Sequence, residues 1–491
     1  MCGIFGVYGS KNAVNQTLDA LEILQYRGYD SAGLAYIQNK KIKVIKSVGD
    51  ITKLRKKIAA LKHTPKTNIC IGHTRWATNG MVNQINSHPH LSFNNKCAVI
   101  HNGIIENYEE LKDMLLRYNI KLKTPVDTEV IPNLLWLFGP EQTQNMLKGK
   151  FAVLALSADN PDEIISFSRD MPLISQNNYY ASDILAFPDS NYKITKNGYK
   201  TFMEKEINEI PDVIEKIKNH YQNFTFPDLS SANCVHIIGC GTSYHAALII
   251  GSLIEKNLKI RTKIHIASEF NGVTILSNNE TALVISQSGE TADTIAAIKI
   301  LQSYKLKIIS ICNVLSSTIA KQSDLVLPML CGPEIAVAST KAFAASICIG
   351  SLLATNKIVF DFTKIQTALP IKNVLSHNIN KIFFIGNGLQ YYFALEAALK
   401  VKEITYMHCE GYPSGELKHG TLSLVNQNTL AIFFGPDIKT KIAVEEIRSR
   451  GGKIMYCPNI ISAQLFALRL SEKLDLNPDR PRNLAKSVTV E

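Results

Sequence analysis

At 491 residues, 46% hydrophobic and 19% charged, the chain is long enough for two or three domains with proper cores, and its composition excludes a disordered protein. Ten cysteines without CxxC pairs or regular spacing fit reduced thiols, not a disulfide scaffold, and imply no metal. The net charge of +11 is dispersed through segments such as NKKIKVIK without aromatic interleaving, so solvated faces explain it and no nucleic-acid partner is expected; a weak attraction for anionic metabolites is the most it supports.

The opening MCGIFGVYGSK has neither a basic n-region nor a long apolar run, so it does not read as a secretory signal. The most apolar stretch, AFAASICIGSLLA (342–354), is too short to span a bilayer and reads as a buried helix, which predicts a cytosolic protein. Cys2 lies directly behind Met1. Removal of that methionine would put a thiol and an α-amine of pKa near ~8 on one residue, a nucleophile carrying its own base. A small residue at position 2 also simply permits methionine removal, so the cysteine needs corroboration.

Up to about residue 200, strand-like and helix-like segments mix. CGIFGVYG, NICIGHTRW, CAVIHNG and GKFAVLALSA read as strands, and NQTLDALEILQYRG, ENYEELKDMLLRY and TEVIPNLLWLF as helices. Three clusters sit at their ends. Arg75 leaves one strand and is a fork for a carboxylate. Asn102 and Gly103 leave another and offer the amide and N–H donors an oxyanion needs. Asp127, ahead of a helix, serves equally as a partner for an ammonium or as an N-cap; Asn102-Gly103 serves equally as a turn, and Trp76 as core.

The stretch from 191 to about 229 is Lys/Glu/Asn-rich, carries a short helical pattern and reads as a linker. Beyond it, VHIIGCGTSYHAALIIGSLIEK is an apolar strand, a turn and a helix, and TALVISQSGETADTIAAIKILQ repeats the pattern, as buried parallel strands do. KIFFIGNGLQYYFALEAALKVKE (381–403) begins a further copy, which reads as duplication of one open α/β module split near 360–375. The turns Cys240-Gly241-Thr242-Ser243 and Ser286-Gln287-Ser288-Gly289-Glu290-Thr291 offer hydroxyls without a lysine. That suits a phosphate ester at helix N-termini, although the same residues are ordinary caps. Neither is a GxxxxGK[ST] loop, so no nucleoside triphosphate is expected.

Taken together, MCGIFG, YRGYDSAG (26–33), HTRWAT, HNGIIEN, DTEV, GCGTSY, SQSGETADT, EIAVASTKAF (334–343), SGELKHG (414–420) and PRNLAKSVTVE (481–491) resemble the isomerising glutamine–fructose-6-phosphate aminotransferase (glucosamine-6-phosphate synthase) family nearly end to end. The resemblance implies an α+β N-terminal-nucleophile (αββα) glutaminase domain over 1–200 and a linker over 201–229. Two α/β sugar-isomerase domains with parallel sheets follow, over 230–365 and 372–491, the second with a catalytic tail. It implies conversion of fructose 6-phosphate and glutamine to glucosamine 6-phosphate and glutamate, the first step of amino-sugar synthesis, by a cytoplasmic homodimer joined through the isomerase domains, without cofactor, metal, membrane or nucleic acid.

By that resemblance Cys2 attacks the glutamine amide, Asn102 and Gly103 hold the oxyanion, and Arg75, Trp76, Thr78, Gly103 and Asp127 bind the amino acid. Trp76 is similar to the family's gate on an ammonia channel, and Arg27 orders its own loop. Fructose 6-phosphate is implied at Cys240, Gly241, Thr242, Ser243, Ser286, Gln287, Ser288, Thr291, Val337, Ser339, Glu396 and Lys400. Lys486 is implied to form an imine with the C2 ketone, His419 to open the ring and Glu403 to carry the proton between C1 and C2. Without the resemblance, Lys400 and Glu403 read as a surface pair and His419 as a loop histidine. Asn79 stands where the family has histidine, Val126 replaces its usual threonine before Asp127, and the passages after Arg169 and after Cys457 are shortened. An alternative reading is a sugar-phosphate-binding or isomerase-only relic with an impaired glutaminase half.

Overall fold

Alternation of apolar residues in the first third produces antiparallel strands in two sheets. The computed structural model describes residues 2–76, 81–190, 194–270, 276–277, 279–362, 368–371, 374, 378–435 and 437–489. It divides into two units, Met1–Ile194 with Ala485–Glu491, and Thr195–Leu484.

In the first unit the elements run β1 (Gly3–Val7), α1 (Ala13–Leu24), β2 (Ser31–Gln38), β3 (Lys41–Val48), α2 (Ile51–Ala59), β4 (Cys70–Arg75), β5 (His90–Leu91), β6 (Cys97–Gly103), α3 (Tyr108–Arg117), α4 (Val130–Met146), β7 (Phe151–Ser157), β8 (Ile164–Arg169), β9 (Ile174–Gln176) and β10 (Tyr179–Ala181). One sheet has the order β3-β2-β4-β1-β10-β9 and the other β5-β6-β7-β8. Because side chains alternate along a strand, Ile4 and Ile71 face Ile100 and Leu154 of the other sheet, while Phe5 faces Leu18 and Leu21 of α1. On the far side of the second sheet, Val99 and Val153 pack on Leu111, Ile131 and Leu134 of α3 and α4. Helix α4 is broken at Gly139 (φ 76°) before Pro140, where the apolar pattern of TEVIPNLLWLF stops. The shortened passage after Arg169 still supplies β9 and β10, a hairpin that pairs with β1 and completes that side of the sheet.

In the second unit, α5 (Phe202–Asn208) and α6 (Ile210–Tyr221) form from the stretch read as a linker, and Met203, Ile207, Ile210, Ile214 and Ile217 are buried in the unit's core. There follow β11 (Cys234–Gly239), α7 (Thr242–Leu258), β12 (Arg261–Ile266), β13 (Glu280–Ser286), α8 (Ala292–Ser303), β14 (Lys307–Cys312), α9 (Thr318–Gln322), β15 (Leu325–Pro328) and α10 (Lys341–Thr355). Then come β16 (Lys381–Gly386), α11 (Leu389–Thr405), β17 (His408–Pro413), β18 (Thr429–Phe434), α12 (Ile438–Arg448), β19 (Lys453–Cys457) and α13 (Ile460–Lys473). Two parallel sheets result, β12-β11-β13-β14-β15 and β17-β16-β18-β19, with the same order over their first four strands. The repeat extends to the turns, since Gly241 and Gly388 precede α7 and α11 with φ of 54° and 57°. A Cβ at either would meet nothing within 4 Å, so the left-handed backbone alone calls for glycine. After Cys457 the chain passes directly into α13, and among the described residues the second sheet has four strands. The apolar run in α10 is buried almost throughout, and among the described residues no helix is long and apolar enough to cross a membrane.

Candidate functional site

Strand β1 lies between β4 and β10, and its register pairs Gly3 with Thr74, which brings Cys2 beside the exit of β4. There the Trp76 N–H donates to Cys2 Sγ (3.3 Å) and the thiol donates to the Trp76 carbonyl (3.5 Å). Burial pushes the Cys2 thiol pKa up, and the amino-terminal charge, the Trp76 N–H and Arg75 only partly offset this. Arg75 is buried, which lowers its own pKa, while the charges of Cys2, Asp30 and Asp127 favour its cationic form. Trp76 is half-buried with its ring edge-on to Tyr29 at 5.4 Å.

The loop after α1 supports this corner. A Cβ on Gly28 would lie 2.6 Å from backbone atoms of both Arg75 and Trp76, so only glycine lets the two segments touch, and the Asp30 N–H then donates to the Arg75 carbonyl (3.0 Å). Arg27 is buried against Asp183 (2.6 Å), and Tyr26 donates to the same carboxylate. Burial opposes the charge on Asp183, but Arg27, the Tyr26 hydroxyl and the Leu185 N–H together outweigh it and hold the carboxyl below its usual range.

At the exit of β6 the Asn102 amide donates to the Cys2 carbonyl (3.0 Å). Gly103 has φ of 118°, and a Cβ there would lie 2.0 Å from the Lys150 carbonyl oxygen, so no other residue fits. Asp127 does not act as an N-cap; its Oδ2 accepts from the Ile105 N–H (2.9 Å), tying the turn before α4 to the end of β6. Cys2, Arg75, Trp76, Asn102, Gly103 and Asp127 therefore converge within one unit. Thr78 and Asn79 lie outside the described residues.

Beneath these groups is a layer of histidines that sequence reasoning missed. His73 and His88 stack at 3.9 Å, His90 meets His88 edge-on at 4.9 Å, and Thr128 Oγ1 bridges His88 Nε2 (2.9 Å) and His101 Nδ1 (3.0 Å). All four are buried. Burial pushes the pKa of His73 down to about 3, and drives those of His88, His90 and His101 down as well, with neighbouring histidines and Arg75 adding to the effect on His88. The available signal was histidine inside otherwise apolar strands.

In the second unit, Thr242 and Ser286 lie at the carboxyl ends of the adjacent strands β11 and β13, where the chain switches direction across the sheet and ligands of such folds bind. Gly289 (φ 67°) could not be replaced, since a Cβ would lie 1.9 Å from Ser317 Oγ. Ser286 Oγ accepts from the Gly289 N–H (3.0 Å), Ser288 Oγ from Glu290 (3.2 Å), and Glu290 anchors the turn on Thr318 (2.8 and 2.9 Å). Gln287, Ser288 and Thr291 are left half-buried around the start of α8. At the neighbouring turn, Ser243 N–H donates to the Cys240 carbonyl (3.0 Å), and burial raises the Cys240 thiol pKa.

Thr242 leads into a buried charged network. Lys400 Nζ donates to Thr242 Oγ1 (3.0 Å) and pairs with Glu396 (3.3 Å) and Glu403 (2.7 Å); Thr242 Oγ1 donates to Glu396 Oε1 (3.1 Å). His245 Nδ1 meets the other Glu396 oxygen at 2.8 Å, a partner that sequence reasoning missed. Lys400 is 0% exposed, which corrects its reading as part of a surface pair: positions i, i+4 and i+7 of α11 point inward. Burial works against its charge, but Glu396 and Glu403 outweigh it and hold its pKa above the ordinary lysine value.

The remaining candidates are less tightly drawn together. The Val337 N–H donates to the Asp479 carbonyl (3.2 Å) and Ser339 Oγ to Glu334 (3.0 Å). His419 is exposed on the turn after residues 416–418, and Lys486 groups with the first unit.

Family models match residues 59–224 as a glutamine amidotransferase domain and residues 228–356 and 377–457 as SIS domains. The chain is 36% identical over 610 positions to the glutamine–fructose-6-phosphate aminotransferase (isomerizing) of Caldanaerobacter subterraneus, and 35% over 600 to that of Pyrococcus horikoshii, with 100% of each chain covered in both. The first alignment exceeds the chain by 610 less 491, or 119, positions, in keeping with the shortened passages. Among solved structures, the C-terminal domain of glucosamine-fructose-6-phosphate aminotransferase from Francisella tularensis matches with a TM-score of 0.52 and 27% identity, over 59% of this chain and 100% of that one.

Two outcomes follow from this geometry. Replacing Lys400 with methionine leaves two carboxylates without their buried cation, so urea unfolding should show a loss of about 3–5 kcal/mol; a loss under 1 kcal/mol would contradict the network's role. The histidine layer makes stability depend on pH. The unfolded chain protonates these residues near pH ~6.5 while the folded one resists it, so stability is complete above that pH and falls on acidification; for His73, whose folded pKa is about 3, the loss is about 1.4 kcal/mol per pH unit between those two values. Urea midpoints measured from pH 7.5 to 5.5 should decline, and a midpoint that rises on acidification would refute this.

Proposed function

The chain belongs to the family of isomerising glutamine–fructose-6-phosphate aminotransferases, and we propose on that basis that it makes glucosamine 6-phosphate and glutamate from glutamine and fructose 6-phosphate. The observation that carries the reading is the position of Cys2 between the Trp76 backbone and the Asn102 amide. A thiol whose pKa is raised by burial is a poor nucleophile on its own. Removal of Met1 places an α-amine on the same residue, which takes the thiol proton and returns it to the departing ammonia.

In this mechanism the thiolate attacks the glutamine amide while the Asn102 amide and the Gly103 N–H receive the oxyanion, and a glutamyl thioester remains for water to clear. The Asn102 amide, which now meets the Cys2 carbonyl, turns to the substrate for that step. Arg75 takes the α-carboxylate and Asp127, with Thr78, the ammonium side; Trp76 gates the passage of ammonia. This half, residues 1–200, is an N-terminal-nucleophile domain of αββα type, a reading supported by two facing sheets with helices on their outer sides.

Residues 230–365 and 372–491 are the sugar-isomerase domains, joined to the first by 201–229. The phosphate of fructose 6-phosphate binds Ser286, Gln287, Ser288 and Thr291, where free N–H groups at the start of α8 add to the hydroxyls. Cys240, Gly241, Thr242, Ser243, Val337, Ser339, Glu396 and Lys400 line the sugar. His419 opens the ring, Lys486 forms an imine at C2, and Glu403, paired to Lys400, moves the proton from C1 to C2. The working form is a cytoplasmic homodimer.

With glutamine and fructose 6-phosphate supplied, wild-type protein should form glucosamine 6-phosphate and glutamate together, and Cys2→Ala should lose at least a thousandfold of both. Sugar isomerisation without amination, or amination from glutamine undiminished in Cys2→Ala, would overturn the reading.

A further inference from the structure

A third cluster of donors lies at the opposite end of the five-stranded sheet from Thr242 and Ser286. Cys234 is the first residue of β11 and Glu280 the first of β13, and the two are direct partners in the parallel register. Side chains two apart on a strand share a face, so His236 stands beside Cys234. One ligand atom from each of Cys234, His236 and Glu280 lies within 4.8 Å of the others. His236 Nε2 meets Glu280 Oε2 at 3.0 Å, and that oxygen also accepts from the Ser277 N–H (2.9 Å).

Two features exceed what a buried histidine–glutamate pair needs. Cys234 is 4% exposed, and its thiol has no hydrogen-bond partner among the described residues. On the far side of His236, Nδ1 meets His265 Nε2 at 3.0 Å, the rings lie nearly parallel (15°), and His265 is itself held edge-on against Phe270. Nε2 meets the Glu280 carboxylate as an N–H donor; when Nε2 binds a cation, the ring proton moves to Nδ1 and donates to His265 Nε2, a partner already in place. Such a partner behind the ring is the usual companion of a metal-bound histidine.

We propose that Cys234 Sγ, His236 Nε2 and a Glu280 oxygen bind one divalent zinc-like ion, with water in the fourth position. Tetrahedral bonds of about 2.0–2.3 Å require donors roughly 3.5 Å apart, which the cluster reaches by a small contraction. On binding, the thiol releases its proton to solvent, and the thiolate and carboxylate balance the two positive charges. The strands place this ion about 20 Å from the turns at their other ends, so it ties β11 to β13 and takes no part in sugar chemistry. The inference is independent of the proposed activity.

The test uses the full-length chain, stripped with chelator and loaded with Zn²⁺ or Co²⁺. Elemental analysis should find about one ion per chain, and the cobalt form should show a thiolate-to-metal charge-transfer band. Cys234→Ser should abolish the band and weaken binding at least a hundredfold, and His265→Ala should keep the band but weaken binding about 10–100-fold. If Cys234→Ser does not fold, Glu280→Gln takes its place, with a loss of at least tenfold expected. No stoichiometric ion, a cobalt spectrum without the thiolate band, or a band that survives Cys234→Ser would each overturn the proposal.

Discussion

The corner that gathers the candidate site residues of the first unit depends on one register. Because β1 pairs with β4 so that Gly3 opposes Thr74, the residue immediately before the strand is fixed beside the backbone of residues 75 and 76. A shift by one residue would send every side chain of β1 to the other face, exposing Phe5 to the inter-sheet layer and Ile4 to the helices. The core thus specifies the position of the thiol through the alternation of Ile4, Phe5 and Val7. Gly28 and Gly103 refine it, each at a place where a single added carbon would strike backbone.

The second unit solves a different problem with a repeated part. Twice, an apolar strand ends in a left-handed glycine and enters a long helix, at Gly241 and at Gly388. The two copies have diverged in chemistry. In one, the turn carries Thr242; in the other, the helix carries Glu396, Lys400 and Glu403, and the two meet around a single buried lysine. A charge buried this deeply is tolerated only because carboxylates and a hydroxyl surround it. His245 extends the same network from the first copy.

Much of this was legible in the residues. The strand–turn–helix segments, the buried helix at 341–355 and the glycine turns follow from periodicity and from the conformations that only glycine adopts. What was hidden depends on contacts between distant segments. Lys400 and Glu403 look like an exposed pair because spacing on a helix does not say which face is covered. The histidine layer joins β4 to β6 across two sheets; histidines inside apolar strands are its only local mark, and their stacking arises only when distant segments meet. Helices α5 and α6 read as a linker because their surface is rich in lysine and glutamate, yet their isoleucines are core. Cys234 and Glu280 are neighbours only through parallel pairing, so a search for closely spaced cysteines does not find them.

The most direct test of the central claim is to quench the protein in acid during turnover with glutamine and identify the modified peptide by mass spectrometry. The account predicts a peptide that begins at Cys2, lacks Met1 and carries a glutamyl group on the thiol. Steady turnover with Met1 retained, or with the glutamyl group on any other residue, would contradict it.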